Sequence, residues 1–283
     1  DQDEKFYKEL GVVSKDFPKL AWWGIVAIDI LEKKLREVRP YEVHKGSTEK
    51  VYWENLHKVC DAIRKKEFPA PAMKQAHKAF SEIAVDRSVK RPVIGVVGEI
   101  YVRCNRFSND NLVKTLEDLG AEVKVPPVAE WIFYTNHTSK KKNWSRGNYG
   151  NFFRTAFNDF FQHRYEDKLM DAFGGEHEPR TKDILKFAAP YINETFEGEA
   201  VLSIGKVVDY ITNDIDGIMN AMPFTCMPGT IVNGILKRVR EDYDNIPYLN
   251  MVYEGIEDTN ARTRLEAFVH QTIERMERKD QKA

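Results

Sequence analysis

Val93-Ile94-Gly95-Val96-Val97-Gly98 is a continuous apolar run, bounded by Lys90-Arg91-Pro92 before it and Glu99 after it. A short run without polar alternation is the pattern of a strand buried on both faces, as in the middle of a parallel sheet. Beyond a loop from Glu99 to Phe107, Ser108-Asn109-Asp110 can cap a helix from Asn111 to Leu119. Gly120 ends that helix, and Ala121-Glu122-Val123-Lys124-Val125 reads as a second strand before Pro126-Pro127. Strand, helix and strand at this spacing make a βαβ unit, with the right-handed crossover such units take.

Two more strands are expected further along, Gly217 to Met222 and Ile246 to Val252, with a helix from Thr230 to Arg240 between them. A helix from about Glu199 to Ile211 precedes them, and an amphipathic helix from Asn260 to Glu277 closes the chain. The expected fold class is α/β: a Rossmann-like or flavodoxin-like parallel sheet of about four strands, flanked by helices, with a helical N-terminal region. Residues 1–91 form that helical region, and residues 92–283 form the Rossmann-like domain with a helical insertion around 129–200.

In the helical region, Asp16 or Ser14 can cap a helix through Leu20, Trp23, Ile28, Leu31 and Leu35 that ends before Arg39-Pro40. A second helix starts at Thr48, where Trp53, Leu56, Cys60 and Ile63 form one apolar stripe, so Cys60 reads as core. A third runs from about Met73 to Val85. Around residue 150, Phe152, Phe153, Phe157, Phe160 and Phe161 recur at helical spacing and read as core, and Lys140-Lys141-Lys142 reads as a solvated loop.

The net charge is −1, which gives no global pull toward nucleic acid or anionic lipid. The apolar run from Leu20 to Leu31 is interrupted by Asp29 and is too short to span a bilayer. The acidic start, Asp1-Gln2-Asp3-Glu4-Lys5, has neither the charge nor the apolar stretch of a signal peptide, and it lacks an initiator Met. The chain is therefore expected to be a segment of a longer cytoplasmic protein. Three widely spaced cysteines make no disulfide framework.

The chemistry is expected beyond the carboxyl ends of the strands. In the common order 2-1-3-4, Val93–Gly98 and Gly217–Met222 are neighbours, and ligands bind at that switch point. The loops leaving these two strands carry Cys104 and Cys226. Cys226 lies between a strand end and a helix N-terminus, where backbone N–H groups face an anionic sulfur. Around the two thiols, the candidate ligand-binding residues are Gly98, Glu99, Arg103, Asn105, Ser108, Asn109, Met227, Pro228 and Gly229. Arg103 can clamp a phosphate or carboxylate, and the helix N-termini after Ser108 and Gly229 can face an anion. No dinucleotide fingerprint, phosphate loop or His-x-x-x-His pair occurs.

Four segments carry a family resemblance: Val96 to Asn111; Leu119 to Val123 with Pro126 to Ile132; Met222-Pro223-Phe224-Thr225-Cys226-Met227-Pro228-Gly229-Thr230; and Thr263 to Val269. They resemble proteins related to 2-hydroxyacyl-CoA dehydratases and their ATP-dependent activases. Ala27-Ile28-Asp29 and Arg39-Pro40-Tyr41-Glu42 fit the connecting region of the same group. The resemblance implies a Rossmann-like iron–sulfur component whose loop cysteines hold a [4Fe-4S] cluster for low-potential electron transfer to a CoA thioester. It makes Cys226 the first metal-ligand candidate and Cys104 the second. Four thiolates are the common arrangement for such clusters. Further ligands are then expected from the N-terminal half of the longer protein or from a dehydratase-like subunit, with an ATP-dependent activase as electron donor. Read from the residues alone, a non-catalytic module that binds a CoA ester or nucleotide, or docks a partner domain, stays open. Neither nucleic acid nor membrane is expected as a partner.

Overall fold

The computed structural model describes residues 16–254 and 260–281. Three helices come first: α1 (Phe17–Val38), α2 (Ser47–Arg64) and α3 (Ala70–Ser81). In α1, Trp22, Trp23, Val26, Ala27, Ile30 and Leu31 recur at three- and four-residue steps and are buried, the stripe that makes a surface helix amphipathic. Asp16 precedes α1 without a side-chain capping bond and pairs with Lys66 at 3.0 Å; Ser14 lies outside the described residues. The buried side of α2 is Thr48, Tyr52, Asn55 and Val59. Trp53, expected inside, is 45% exposed, and Cys60 is half-buried at the edge of the stripe. The stripe is turned by about one residue because Tyr52 donates a hydrogen bond to Glu32 of α1 at 2.9 Å, which sets the face of α2.

The sheet is parallel and four-stranded, in the order β2-β1-β3-β4, the common order of doubly wound sheets. Its strands are β1 (Val93–Gly98), β2 (Glu122–Lys124), β3 (Gly217–Pro223) and β4 (Tyr248–Tyr253). The two central strands are buried almost throughout, which accounts for the unbroken apolar run of β1; β3 is apolar but for buried Asn220, whose Nδ2 donates to Gly229 O and Asn250 Oδ1. The edge strand β2 is shorter than the expected 121–125. Ala121 N–H bonds to Leu116 O at the end of the preceding helix, and Pro126 has no N–H to offer. Asp216 locks the entrance to β3: its backbone N–H donates to Val93 O, its carboxylate accepts from Val93 N–H at 2.8 Å, and Lys279 pairs with it.

Between and after the strands lie α4 (Ile100–Cys104), α5 (Leu112–Asp118), α6 (Val128–Ser145), α7 (Tyr149–Phe173), α8 (Thr181–Ala188), α9 (Glu199–Thr212), α10 (Met227–Asp242) and α11 (Ala261–Asp280). The last helix runs past the expected end at Glu277. Helices α8, α9 and α10 share a core with one face of the sheet, while α4, α5 and α11 cover the other. The insertion does not stand apart. Ala129 and Phe133 of α6 and Leu169, Met170 and Phe173 of α7 join the core of α1–α3, giving one helical layer. The aromatic stripe on α7 corrects an expectation: Phe153, Phe157 and Phe160 are 65%, 64% and 60% exposed. Leu169, Met170 and Phe173 supply the buried residues instead, so the first half of α7 shows its rings outward. Lys140, Lys141 and Lys142 lie on α6 rather than in a loop, and each pairs with an acid: Asp159, Glu194 and Glu197. Among the described residues, no helix is long and apolar enough to cross a membrane.

The helical layer meets the sheet through a buried ion cluster. Lys206 of α9 is 1% exposed and lies 3.0 Å from Glu178, 3.2 Å from Asp209 and 3.3 Å from Glu130 of α6. Glu178 also pairs with Lys33 of α1 at 2.8 Å. Burial alone would lower the Lys206 pKa, but the surrounding carboxylates hold it well above the usual lysine value. Truncating one member of such a cluster leaves the others buried without compensation. Lys206→Ala is therefore expected to lose about 3–5 kcal/mol of unfolding free energy in urea titrations. Lys206→Met in a Glu130→Gln background should recover part of that loss.

Candidate functional site

Gly98 ends β1 with φ +114°, and a Cβ there would stand 2.1 Å from Ala221 O of β3, so only glycine fits this turn. The expected loop after it contains a helical turn, α4, because the Glu99 carboxylate accepts from Val102 N–H at 2.7 Å and caps it. Arg103 and Cys104 fall on the last residues of that turn. The polar residues beyond them build the loop. Asn105 Oδ1 accepts from the N–H groups of Phe107 and Ser108, both at 3.0 Å. Asn109 donates through Nδ2 to the carbonyls of Val102 and Arg103 and accepts from Leu112 N–H, so its amide is committed within the loop. Helix α5, only seven residues long, gives the segment after Ser108 too little aligned backbone for an anion site.

On the neighbouring strand, β3 leads through Thr225, at φ +64°, to Cys226 as the N-cap of α10. Gly229 N–H donates to Cys226 Sγ at 3.4 Å. Gly229 packs against Met222, where a Cβ would meet Sδ at 2.4 Å, so the first turn of α10 lies close on the strand it leaves. Cys226 is half-buried, and Phe224 and Met227 on either side of it are 61% and 71% exposed.

A cavity of about 270 Å³ opens where the segments after β1 and β2 meet α1. It lies at the carboxyl ends of the strands, as expected for this sheet type, but on the β1–β2 side and under the helical layer rather than over the β1–β3 junction. Of the residues singled out from the sequence, Arg103, Cys104 and Asn109 line it. Cys226, Met227, Pro228 and Gly229 do not, and neither do Gly98, Glu99, Asn105 and Ser108. The two thiols therefore face different surroundings. Cys104 is exposed at the cavity wall, yet desolvation around its sulfur pushes the thiol pKa up, against the favourable charge of Arg103.

The residues missed in the sequence come from α1 and from Arg39 just past its end. Asp29, Glu32, Arg36 and Arg39 line the cavity together with Arg106 and Lys114. The first three lie at i, i+3 and i+7, a polar stripe in an apolar helix that marks a second, wetted face. The Asp29 carboxylate accepts from Val128 N–H at 3.0 Å and Ala129 N–H at 2.9 Å, capping α6 from outside that helix. Glu32 accepts from Arg36 and Arg106 as well as Tyr52, and Arg39 holds Glu117 in a two-point contact at 2.6 and 3.1 Å. The arrangement is a cation-bearing recess suited to binding an anion. Among the described residues, no group of three or more His, Cys, Asp or Glu side chains is placed to hold a metal ion.

No family model matches the chain, and neither a curated protein nor a solved structure matches it.

Burial raises the Asp29 pKa from its ordinary 3.8 to about 6, despite the two N–H donors. The folded protein thus holds this proton more tightly than the unfolded chain does. Its contribution to stability is complete below about pH 4 and is lost as pH rises through 6. Glu178 behaves oppositely: burial would raise it, but Lys206 and Lys33 bring it down to about 2, so its contribution is lost as pH falls below its ordinary 4.5. Denaturant titrations across pH should show Asp29→Asn flattening the decline between about pH 4 and 6 while leaving the acid limb in place.

Proposed function

We propose that the chain is the C-terminal α/β domain of a 2-hydroxyacyl-CoA dehydratase-like iron–sulfur protein, where it contributes Cys226, with Cys104 as a second thiol, to a [4Fe-4S]-type cluster serving ATP-driven, low-potential electron transfer to a CoA thioester. The observation that carries this reading is the presentation of Cys226. It caps the helix after central strand β3, with its sulfur facing a backbone N–H and exposed apolar residues on both sides. The same strand-to-helix turn holds the most specific part of the resemblance, Met222 to Thr230.

The chain's own donors do not fit a complete cubane. At most two thiols stand at this end of the sheet, only Cys104 opens into the cavity, and no third donor gathers with either among the described residues. In this reading the remaining ligands come from the N-terminal half of a longer protein or from a dehydratase-like subunit, with an ATP-dependent activase supplying the electron. Exposed Tyr101, Phe107, Phe224 and Met227, all in segments leaving β1 and β3, support a covering surface there. Three free cysteines suit a reducing compartment such as the cytoplasm.

A second reading, a non-catalytic module for a CoA ester or nucleotide, is favoured by one observation: the recess at the carboxyl ends of the strands is bordered by five Arg and Lys side chains and not by Cys226. Anaerobic iron and sulfide reconstitution of the chain with its completing polypeptide separates the two. Cys226→Ala is expected to weaken iron binding by more than ~10-fold, since even groups one shell outside a metal's ligands matter ~10- to 100-fold. Cys104→Ala should have the smaller effect. Unchanged iron content in Cys226→Ala overturns the cluster reading.

A further inference from the structure

The cations around the cavity are not equivalent. Arg39 is held by Glu117, Arg36 by Glu32, Arg106 by Glu32 and Glu49, and Lys114 by Asp118. Arg103 has no such partner. It is 8% exposed, it borders the cavity, and among the described residues no carboxylate lies within ion-pair distance of it. Its Nε is buried without a hydrogen-bond partner. A guanidinium keeps its charge under all ordinary conditions, and a buried cation without a counter-ion is costly. The carboxylates that feel Arg103 at longer range are engaged elsewhere: Asp29 by two backbone N–H groups, Glu130 by Lys206, and Glu199 by Ile100 N–H at 3.4 Å. Every other cation in the wall is balanced by a carboxylate; the side chain beside the Arg103 guanidinium is the Cys104 thiol, which does not neutralise it.

We propose that this cavity binds a small oxyanion, presented as a phosphate monoester or a carboxylate, with Arg103 as its charge partner. Two-point contact from a guanidinium fork suits both groups. The volume of about 270 Å³ lies at the lower edge of small-molecule pockets, ~300–1,000 Å³. It fits a compact acid, or the charged end of a longer ligand, better than a whole dinucleotide. The backbone after β1 is braced to present the guanidinium, since Glu99 caps the turn that carries Arg103 and Asn109 binds the Arg103 carbonyl at 3.2 Å. Cys104, the next residue, reports occupancy, because it lines the cavity and an anion seated here would cover its exposed thiol.

The proposal deepens the ligand-binding reading and makes no use of iron. Thermal unfolding and calorimetric titration of the full chain at low ionic strength, with inorganic phosphate in one arm and succinate in the other, test it. One of the two should raise Tm saturably where chloride at equal ionic strength does not, and the responding arm identifies the group recognised. Arg103→Met should weaken that binding ~10- to 100-fold, with Arg103→Lys between it and the parent. If Arg103→Met does not fold, the rate of Cys104 alkylation in the unmodified chain takes its place: the bound anion should slow it with the same half-saturation. Absence of both saturable stabilisation and Cys104 protection, or undiminished binding to folded Arg103→Met, overturns the proposal. These assays contain no iron, so their failure leaves the Cys226 reading standing.

Discussion

Lys206 is the residue on which the arrangement of layers depends. It is fully buried between the sheet's covering helix α9 and the helical layer, and its three carboxylate partners come from different segments of the chain. Through Glu178 the cluster continues to Lys33 of α1. An apolar contact would leave α1, α6 and α9 free to slide, because apolar packing has little direction. A buried cation tolerates only an arrangement that keeps its carboxylates in reach. The cavity beneath α1 inherits its shape from that constraint, since α1 forms one of its walls.

The second constraint is the close approach of the two central strands at their carboxyl ends. With Gly98 against Ala221 and Gly229 against Met222, both loops must turn immediately after their strands. The turn after β1 is tightened into α4 by Glu99, which places Arg103 and Cys104 toward α1 and the end of β2. The turn after β3 starts α10 at Cys226 and leaves that thiol beside exposed Phe224 and Met227. Adjacent strands thus deliver their two cysteines to different settings, one in a charged recess and one on an apolar rim.

How much of the fold is legible along the chain follows from the range of the forces involved. The apolar runs of β1 and β3 can be read directly, because burial on both faces admits a polar residue only where partners are at hand, as Gly229 O and Asn250 are for Asn220 Nδ2 in β3. The strand order β2-β1-β3-β4 is the common one for such sheets and is expected only on that ground. The α2 stripe differs by a residue from its expected place because Val51, Tyr52, Trp53 and Leu56 offer overlapping apolar faces, and the Tyr52–Glu32 hydrogen bond selects among them. The α7 rings depart from expectation because periodicity reports that a face exists, not that anything covers it. At the site, Arg103 and Cys104 are visible as chemistry-bearing residues on a loop after a central strand. Asn105 and Asn109 look equally suited to a ligand, but their hydrogen bonds close the loop on itself.

By itself the sequence determined the elements, their α/β alternation and the two thiol-bearing turns, because these depend on local propensity, apolar runs and short connections. Only the tertiary structure decided that α6 and α7 join the N-terminal helices, that α1 roofs the recess, and that Arg103 alone of its cations lacks a carboxylate partner among the described residues. Pairing of charges distant in the chain, such as Arg39 with Glu117 or Lys33 with Glu178, is set by how whole layers pack. No spacing along the chain encodes it.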